Sequence, residues 1–95
     1  MAISESDCVE VFQNYVDPEL GIDVWTLGLI YECKVQNNED VNLKMTFTTP
    51  LCPFGPQMVS EIEQELKQKG AVNVSIEVVF EPRWEPSEEV KELLL

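Results

Sequence analysis

The stretch VNLKMTFTTPLCPFGPQMVSEIEQELKQKG, Val41 to Gly70, changes its period in the middle. Val41, Leu43, Met45 and Phe47 alternate with Asn42, Lys44, Thr46 and Thr48. That period of two predicts a strand with one buried and one wet face. Further on, Met58, Ile62 and Leu66 recur at helical spacing with Val59 beside them, which predicts a helix over 56–69. Pro56 suits its first position and Gly70 the position past its end. Lys67 and Lys69 sit in the last turn, where cations favour the helix dipole. Between strand and helix lies TTPLCPFGP, Thr48 to Pro56, with three prolines, a glycine, two threonines and a cysteine in nine residues. A cysteine held in so constrained a loop needs a reason.

Working outward, Trp25 to Val35 reads as a strand, with Leu27, Leu29, Tyr31, Cys33 and Val35 on one parity. The polar QNNED, 36–40, reads as its hairpin connection to the next strand. Downstream, Val72 to Phe80 reads as a third strand, with Val74, Ile76, Val78 and Phe80 on one face. Upstream, Ser4 to Val16 reads as a helix with Ser4 or Ser6 as N-cap. Its apolar face carries Cys8, Val11, Phe12, Tyr15 and Val16. DPELGID, Asp17 to Asp23, ends that helix in a structured turn. The tail places two prolines around Trp84 and closes in a short helix capped by Ser87. The order is α-β-β-α-β with a short C-terminal helix. A right-handed crossover joins the second and third strands. The expected fold is an α+β two-layer sandwich with a three-stranded mixed sheet, strand one central and both helices on one face.

The 95 residues make one domain, 1–95, with 44% hydrophobic and 25% charged residues. Such a chain buries roughly 60–65% of its unfolded surface, enough for one modest core. No apolar run approaches the roughly 20 residues that span a bilayer. The acidic N-terminus lacks the basic and apolar regions of a secretory leader. Six basic residues face eighteen acidic ones, a formal net charge of −12. Phosphate backbones and anionic membranes demand clustered cations, so neither nucleic acid nor membrane is an expected partner. The charge suits basic protein partners instead.

Three cysteines, Cys8, Cys33 and Cys52, with no CxxC, fit a reducing cytoplasm better than a disulfide framework. There is no histidine, so chemistry must use thiol, carboxylate, hydroxyl or backbone groups. Cys8 and Cys33 fall on core faces. Cys52 stands just before a helix N-terminus, whose free N–H groups and positive partial charge favour a thiolate. Against that, Asp17, Glu19 and Asp23 can lie nearby, and carboxylates raise a thiol pKa. By themselves Asp17 and Glu19 also read as turn capping and solvated acid, Trp84 as a core-edge aromatic pinning the tail, and the cysteine loop as a tight strand-to-helix turn.

Three segments, DPELGIDVWTLGLIYE, TTPLCPFGPQM and the tail FEPRWEP, together resemble the small family of iron–sulfur assembly domains. That family includes SUF-associated maturation factors, PaaD-like proteins and a component of the cytosolic iron–sulfur assembly targeting complex. The resemblance runs from about Cys8 to Trp84. It implies the α+β fold and a role in maturing iron–sulfur proteins. Its signature residues carry over to Asp17, Glu19 and Leu20, and to Thr48, Thr49 and Cys52. Family members often show Pro-Pro-Trp in the tail, where this chain has Pro82-Arg83-Trp84.

A cluster normally takes four protein ligands, usually thiolates, and this chain offers one placed thiol. The resemblance therefore implies a transient cluster or iron contacted by Cys52, shared across a homodimer or passed on in a complex, or an adaptor that binds none. Expected partners are assembly proteins and apo client proteins, in the cytoplasm, with no catalytic turnover. The alternatives are a PaaD-like subunit of a multicomponent phenylacetyl-CoA oxygenase system and a thiol redox protein. The lack of a histidine and of a resolving cysteine weighs against the last.

Overall fold

A computed structural model describes residues 2–94. The first helix, α1 (Glu5–Asn14), starts at Ser4, whose hydroxyl accepts the Asp7 N–H while the Asp7 carboxylate accepts the Ser4 N–H. This reciprocal capping satisfies two donors that a helix start leaves open. Its face of Cys8, Val11 and Phe12 is buried. The chain then leaves the expected path. Residues 25–27, read above as the start of a strand, belong instead to a one-turn helix, α2 (Val24–Leu27). The Asp23 carboxylate caps it by accepting the Thr26 N–H at 2.9 Å, and Gly28, at φ +77°, ends it. A short apolar run does not distinguish one buried helical turn from a strand; the capping chemistry decides.

The sheet comprises β1 (Ile30–Gln36), β2 (Asp40–Met45) and β3 (Asn73–Val78). The first and third strands are thus shorter than their apolar patterns. The order is β1-β2-β3, with β1 antiparallel and β3 parallel to β2. The expectation of strand one at the centre is corrected: β2 is central. Its inward side chains, Val41, Leu43 and Met45, are all fully buried, whereas those of β1 and β3 are only partly so. The strand with the cleanest alternation is the one covered from both sides. The hairpin fills one edge of β2, so the crossover lays β3 along the other.

Helix α3 (Gly55–Lys69) makes that crossover and buries Met58, Ile62 and Leu66. Each is worth roughly 1.5–3 kcal/mol of burial. Helices α1 and α3 lie side by side over the sheet, joined by the Tyr15 hydroxyl donating to Glu61 and by Lys69 paired with Glu10 at 2.8 Å. The opposite sheet face is polar, and there Glu32 pairs with both Lys34 and Lys44. The α+β two-layer architecture with a mixed three-stranded sheet is therefore observed.

The tail returns across the start of β1. Tyr31, at the register shift in that strand, donates its hydroxyl to the Pro82 carbonyl at 2.8 Å. The Trp84 indole N–H donates to the Leu27 carbonyl at 2.7 Å. A last helix, α4 (Glu88–Leu93), is capped by Ser87 and seats Val90 in the core.

Gly55 explains one letter of the constrained loop. A Cβ there would lie 2.6 Å from the Phe47 ring, which itself meets Phe80 edge-on. Gly55→Ala is expected to cost about 1 kcal/mol by overpacking, measured by urea denaturation. In a Phe47→Leu background, which shortens the obstructing side chain, the same change should cost measurably less.

Candidate functional site

The site is built where β2 runs into α3 and where α1 runs into α2. The first junction is the cysteine loop. The Leu51 N–H donates to the Thr49 hydroxyl, and the Cys52 N–H to the Thr49 carbonyl. The Gly55 N–H then donates to the Cys52 carbonyl. Prolines at 50, 53 and 56 bring no donors of their own. The loop is thus a chain of tight turns that fixes the Cys52 backbone and pushes Leu51 outward, 88% exposed.

The second junction is DPELGID. A bridge between Val16 and Asp23 closes its ends. Inside, Asp17 is 1% exposed. Its Oδ1 accepts the Glu19 N–H at 2.7 Å and the Leu20 N–H at 3.2 Å. The Asp17 carbonyl accepts the Gly21 N–H, where φ is +71°. Asp17 therefore works as the internal knot of the turn. Leu20 packs partly against the core. Glu19, held between them, points across to the cysteine loop.

There the two junctions meet: the Cys52 Sγ–H donates to Glu19 Oε1 at 3.6 Å. The Cys52 thiol is pushed above the ordinary range, first by burial and then by the nearby Glu19 and Asp17 carboxylates. The Phe54 N–H, which favours the thiolate, does not outweigh them. The helix start alone argued for a lowered pKa; the carboxylates reverse that sign. At rest this is a protonated thiol on a carboxylate. Among the described residues, no three His, Cys, Asp or Glu side chains are placed to hold a metal ion together.

Thr48, Thr49 and Trp84 share a further feature, although Thr49 also holds the Cys52 N–H through its carbonyl. They line a cleft of about 710 Å³ with Phe47, Phe80 and Arg83. The residues anticipated as one pocket are thus split. Glu19 and Cys52 touch, while the threonines and the tail share a cleft whose lining includes neither of those two. Arg83 was not anticipated as a cleft residue. Lys34, Lys44, Lys67, Lys69 and Lys91 each pair with a glutamate, whereas among the described residues Arg83 has no carboxylate within 4.0 Å. A lone arginine between two glutamates, Glu81 and Glu85, gave no sequence signal for this.

Fold and site together define a small α+β domain that presents one carboxylate-bound thiol at a strand-to-helix crossover. The chain belongs to the iron–sulfur cluster assembly protein family, which it matches over residues 5–78. It is 34% identical over 82 residues to a Fe–S protein maturation auxiliary factor of Porphyromonas gingivalis, covering 85% of this chain and 78% of that protein. It is likewise 34% identical over 70 residues to the Fe–S protein maturation auxiliary factor SufT of Staphylococcus aureus, covering 73% and 80%. A solved conserved hypothetical protein of Thermotoga maritima superposes with a TM-score of 0.84 at 36% identity, covering 96% of this chain and 93% of that one. Residues 82–84 lie beyond the matched family segment.

Two outcomes test this geometry. Asp17→Ala leaves two turn N–H groups without their acceptor and is expected to cost about 1–3 kcal/mol, read by urea denaturation, with Asp17→Asn costing less. Cys52 should alkylate more slowly at neutral pH than an unstructured peptide thiol. Glu19→Gln removes the repelling charge and adds an N–H donor, so it should lower the Cys52 pKa and speed alkylation, as read from the pH profile of iodoacetamide labelling.

Proposed function

We propose that the chain is a cytoplasmic iron–sulfur protein maturation factor. In this reading it contacts iron or a cluster through Cys52, as cargo, without catalytic turnover of its own. The observation that carries the reading is the contact between Cys52 and Glu19, residues 33 positions apart. It joins the two motifs in which the resemblance to the family is densest. The maturation role named for its relatives comes to this chain on that basis.

The chemistry follows from the donor set. One thiol and one carboxylate are too few for a cluster that takes four ligands. The remaining ligands come from outside, from a second copy of the chain or from an assembly protein or apo client. The same incompleteness favours release, because a shared cluster leaves with whichever partner supplies the fuller set. Cys52 is held protonated, so metal must displace its proton, and binding weakens as pH falls. Iron brings the positive charge that the site lacks and offsets Glu19 and Asp17. Asp17 and Leu20 hold Glu19 in place. The cleft with Thr48, Thr49 and Trp84 offers the adjoining surface on which such a partner docks.

Anaerobic loading of the purified protein with iron and sulfide, read by visible absorption and iron-to-protein ratio, tests this. Wild type should load and Cys52→Ala should not, and wild-type loading should fall at lower pH. If neither protein loads, the carrier reading fails and an adaptor role remains. In a deletion strain, restoration of client cluster content by Cys52→Ala as fully as by wild type would overturn the role of the thiol.

A further inference from the structure

The sheet has two outer edges, and they are finished differently. β1 is interrupted by its register shift at Tyr31, carries Glu32 and Lys34, and has the tail fastened to it through the Tyr31 hydroxyl. Breaks and charges of this kind keep an edge strand from pairing with another chain. β3 has no such break. It runs in unbroken register along β2, and the stretch from Ala71 to Phe80 has no proline, no lysine and a single charge, Glu77. Among the described residues, no strand pairs with its outer side.

The backbone alternation fixes what that side offers. The N–H groups of Asn73 and Val79 donate to Glu39 and Met45, on the β2 side. In a parallel ladder alternate residues turn both main-chain groups to the same neighbour, so 73, 75 and 77 face β2, and Val74, Ile76 and Val78 turn theirs outward. The side chains of those three, in register with the buried Val41, Leu43 and Met45, lie on the core face but are only half covered. Just beyond the two ends of the strand, Val72 is 54% and Phe80 45% exposed.

We propose that the outer edge of β3 pairs with the same edge of a second copy, antiparallel about a two-fold axis through Ile76, so that the two three-stranded sheets become one. With Ile76 facing itself, Val74 faces Val78 of the second copy, the three outward residues exchange their main-chain bonds, and Glu77 faces Ser75. Shifted one way, Val78 faces Val72, whose N–H is already given to Glu39. Shifted the other way, Glu77 faces Glu77, and like charges directly opposite are destabilising. The favoured register also brings Val72 toward Phe80 of the second copy, so the exposed apolar residues that flank the strand cover each other. Each Glu77 has Lys44 of its own β2 in register, a cation that tempers the diagonal approach of the two glutamates across the axis. This matching of bonds, charge and flanking apolar groups to themselves selects a second copy over a strand of another protein. It rests on the fold and is independent of the role of Cys52.

One strand per copy is a small contact, and each copy carries a formal −12, so the pairing is weak and is strengthened by salt. Sedimentation velocity of the wild type over a concentration series, at low salt and at about 0.5 M NaCl, should show a monomer–dimer equilibrium that both concentration and salt shift toward dimer. Hydrogen exchange at the amides of Val74, Ile76 and Val78 should slow as the dimer forms. Ser75 is exposed on the polar face, so changing it spares the core. Ser75→Glu sets glutamates face to face on both sides of the axis and should raise the dissociation constant roughly fivefold. Ser75→Lys, facing Glu77, should lower it, and adding Glu77→Lys to Ser75→Glu should restore it. Gln13→Glu, exposed on α1, makes the same change in net charge as Ser75→Glu and should move the constant much less. A wild type that stays monomeric at every concentration and salt overturns the proposal and leaves the edge to a strand of another protein. A dimer that responds to Ser75→Glu no more than to Gln13→Glu overturns it as well, because the contact then lies elsewhere.

Discussion

The strand β2 is bonded on both edges at once, antiparallel to β1 and parallel to β3, and the rest of the structure follows from that double pairing. A hairpin can supply the antiparallel neighbour with a short turn, but a parallel neighbour requires the chain to travel back the length of the sheet. Helix α3 is that return path. The segment joining the end of β2 to the start of α3 must change direction and period within a few residues. Its prolines, its Thr49 turns and the bare Cα of Gly55 against Phe47 are the local means of doing so. The thiol is held where it is by the same constraint that makes the fold.

That placement has an electrostatic sense. A reactive thiolate needs cations or open donors around it. Here the donor from Phe54 is set against Glu19 and a buried, backbone-engaged Asp17. The resting thiol stays protonated and protected. The arrangement suits a group that becomes a ligand only when a cation arrives, and does not suit a nucleophile kept ready. The thiol redox alternative with Cys52 as its attacking group finds no support in these surroundings.

Much of this was readable from the residues. Ser4, Ser87 and Gly70 announced their helix ends, and the alternation of Val41 to Phe47 announced a strand. The short helix after Asp23 was hidden, because Val24 to Leu27 is apolar enough for either structure. Asp23 three residues before Thr26, followed by Gly28, was the available signal. Strand order was hidden for a different reason. Local pattern fixes which face is buried but not which neighbour lies alongside, and only the completeness of the β2 alternation hinted at its central place. At the site, Asp17, Glu19 and Cys52 could be singled out from the letters, but which of them touch could not. That one carboxylate is spent on its own backbone while the next reaches a sulfur is a matter of turn geometry and cannot be seen in the letters.

The ion pairs of the surface carry one more consequence. Five lysines are each held beside a glutamate of the same chain, so their charge is neutralised locally and the remaining field, from a formal −12, is negative over most of the molecule. Encounter with a positively charged partner is then accelerated at a distance and slowed by added salt, over a screening length of about 8 Å at physiological ionic strength. Two copies of this chain repel each other under the same conditions. Self-association and partner capture thus respond to ionic strength in opposite directions, and salt alone shifts the balance between them.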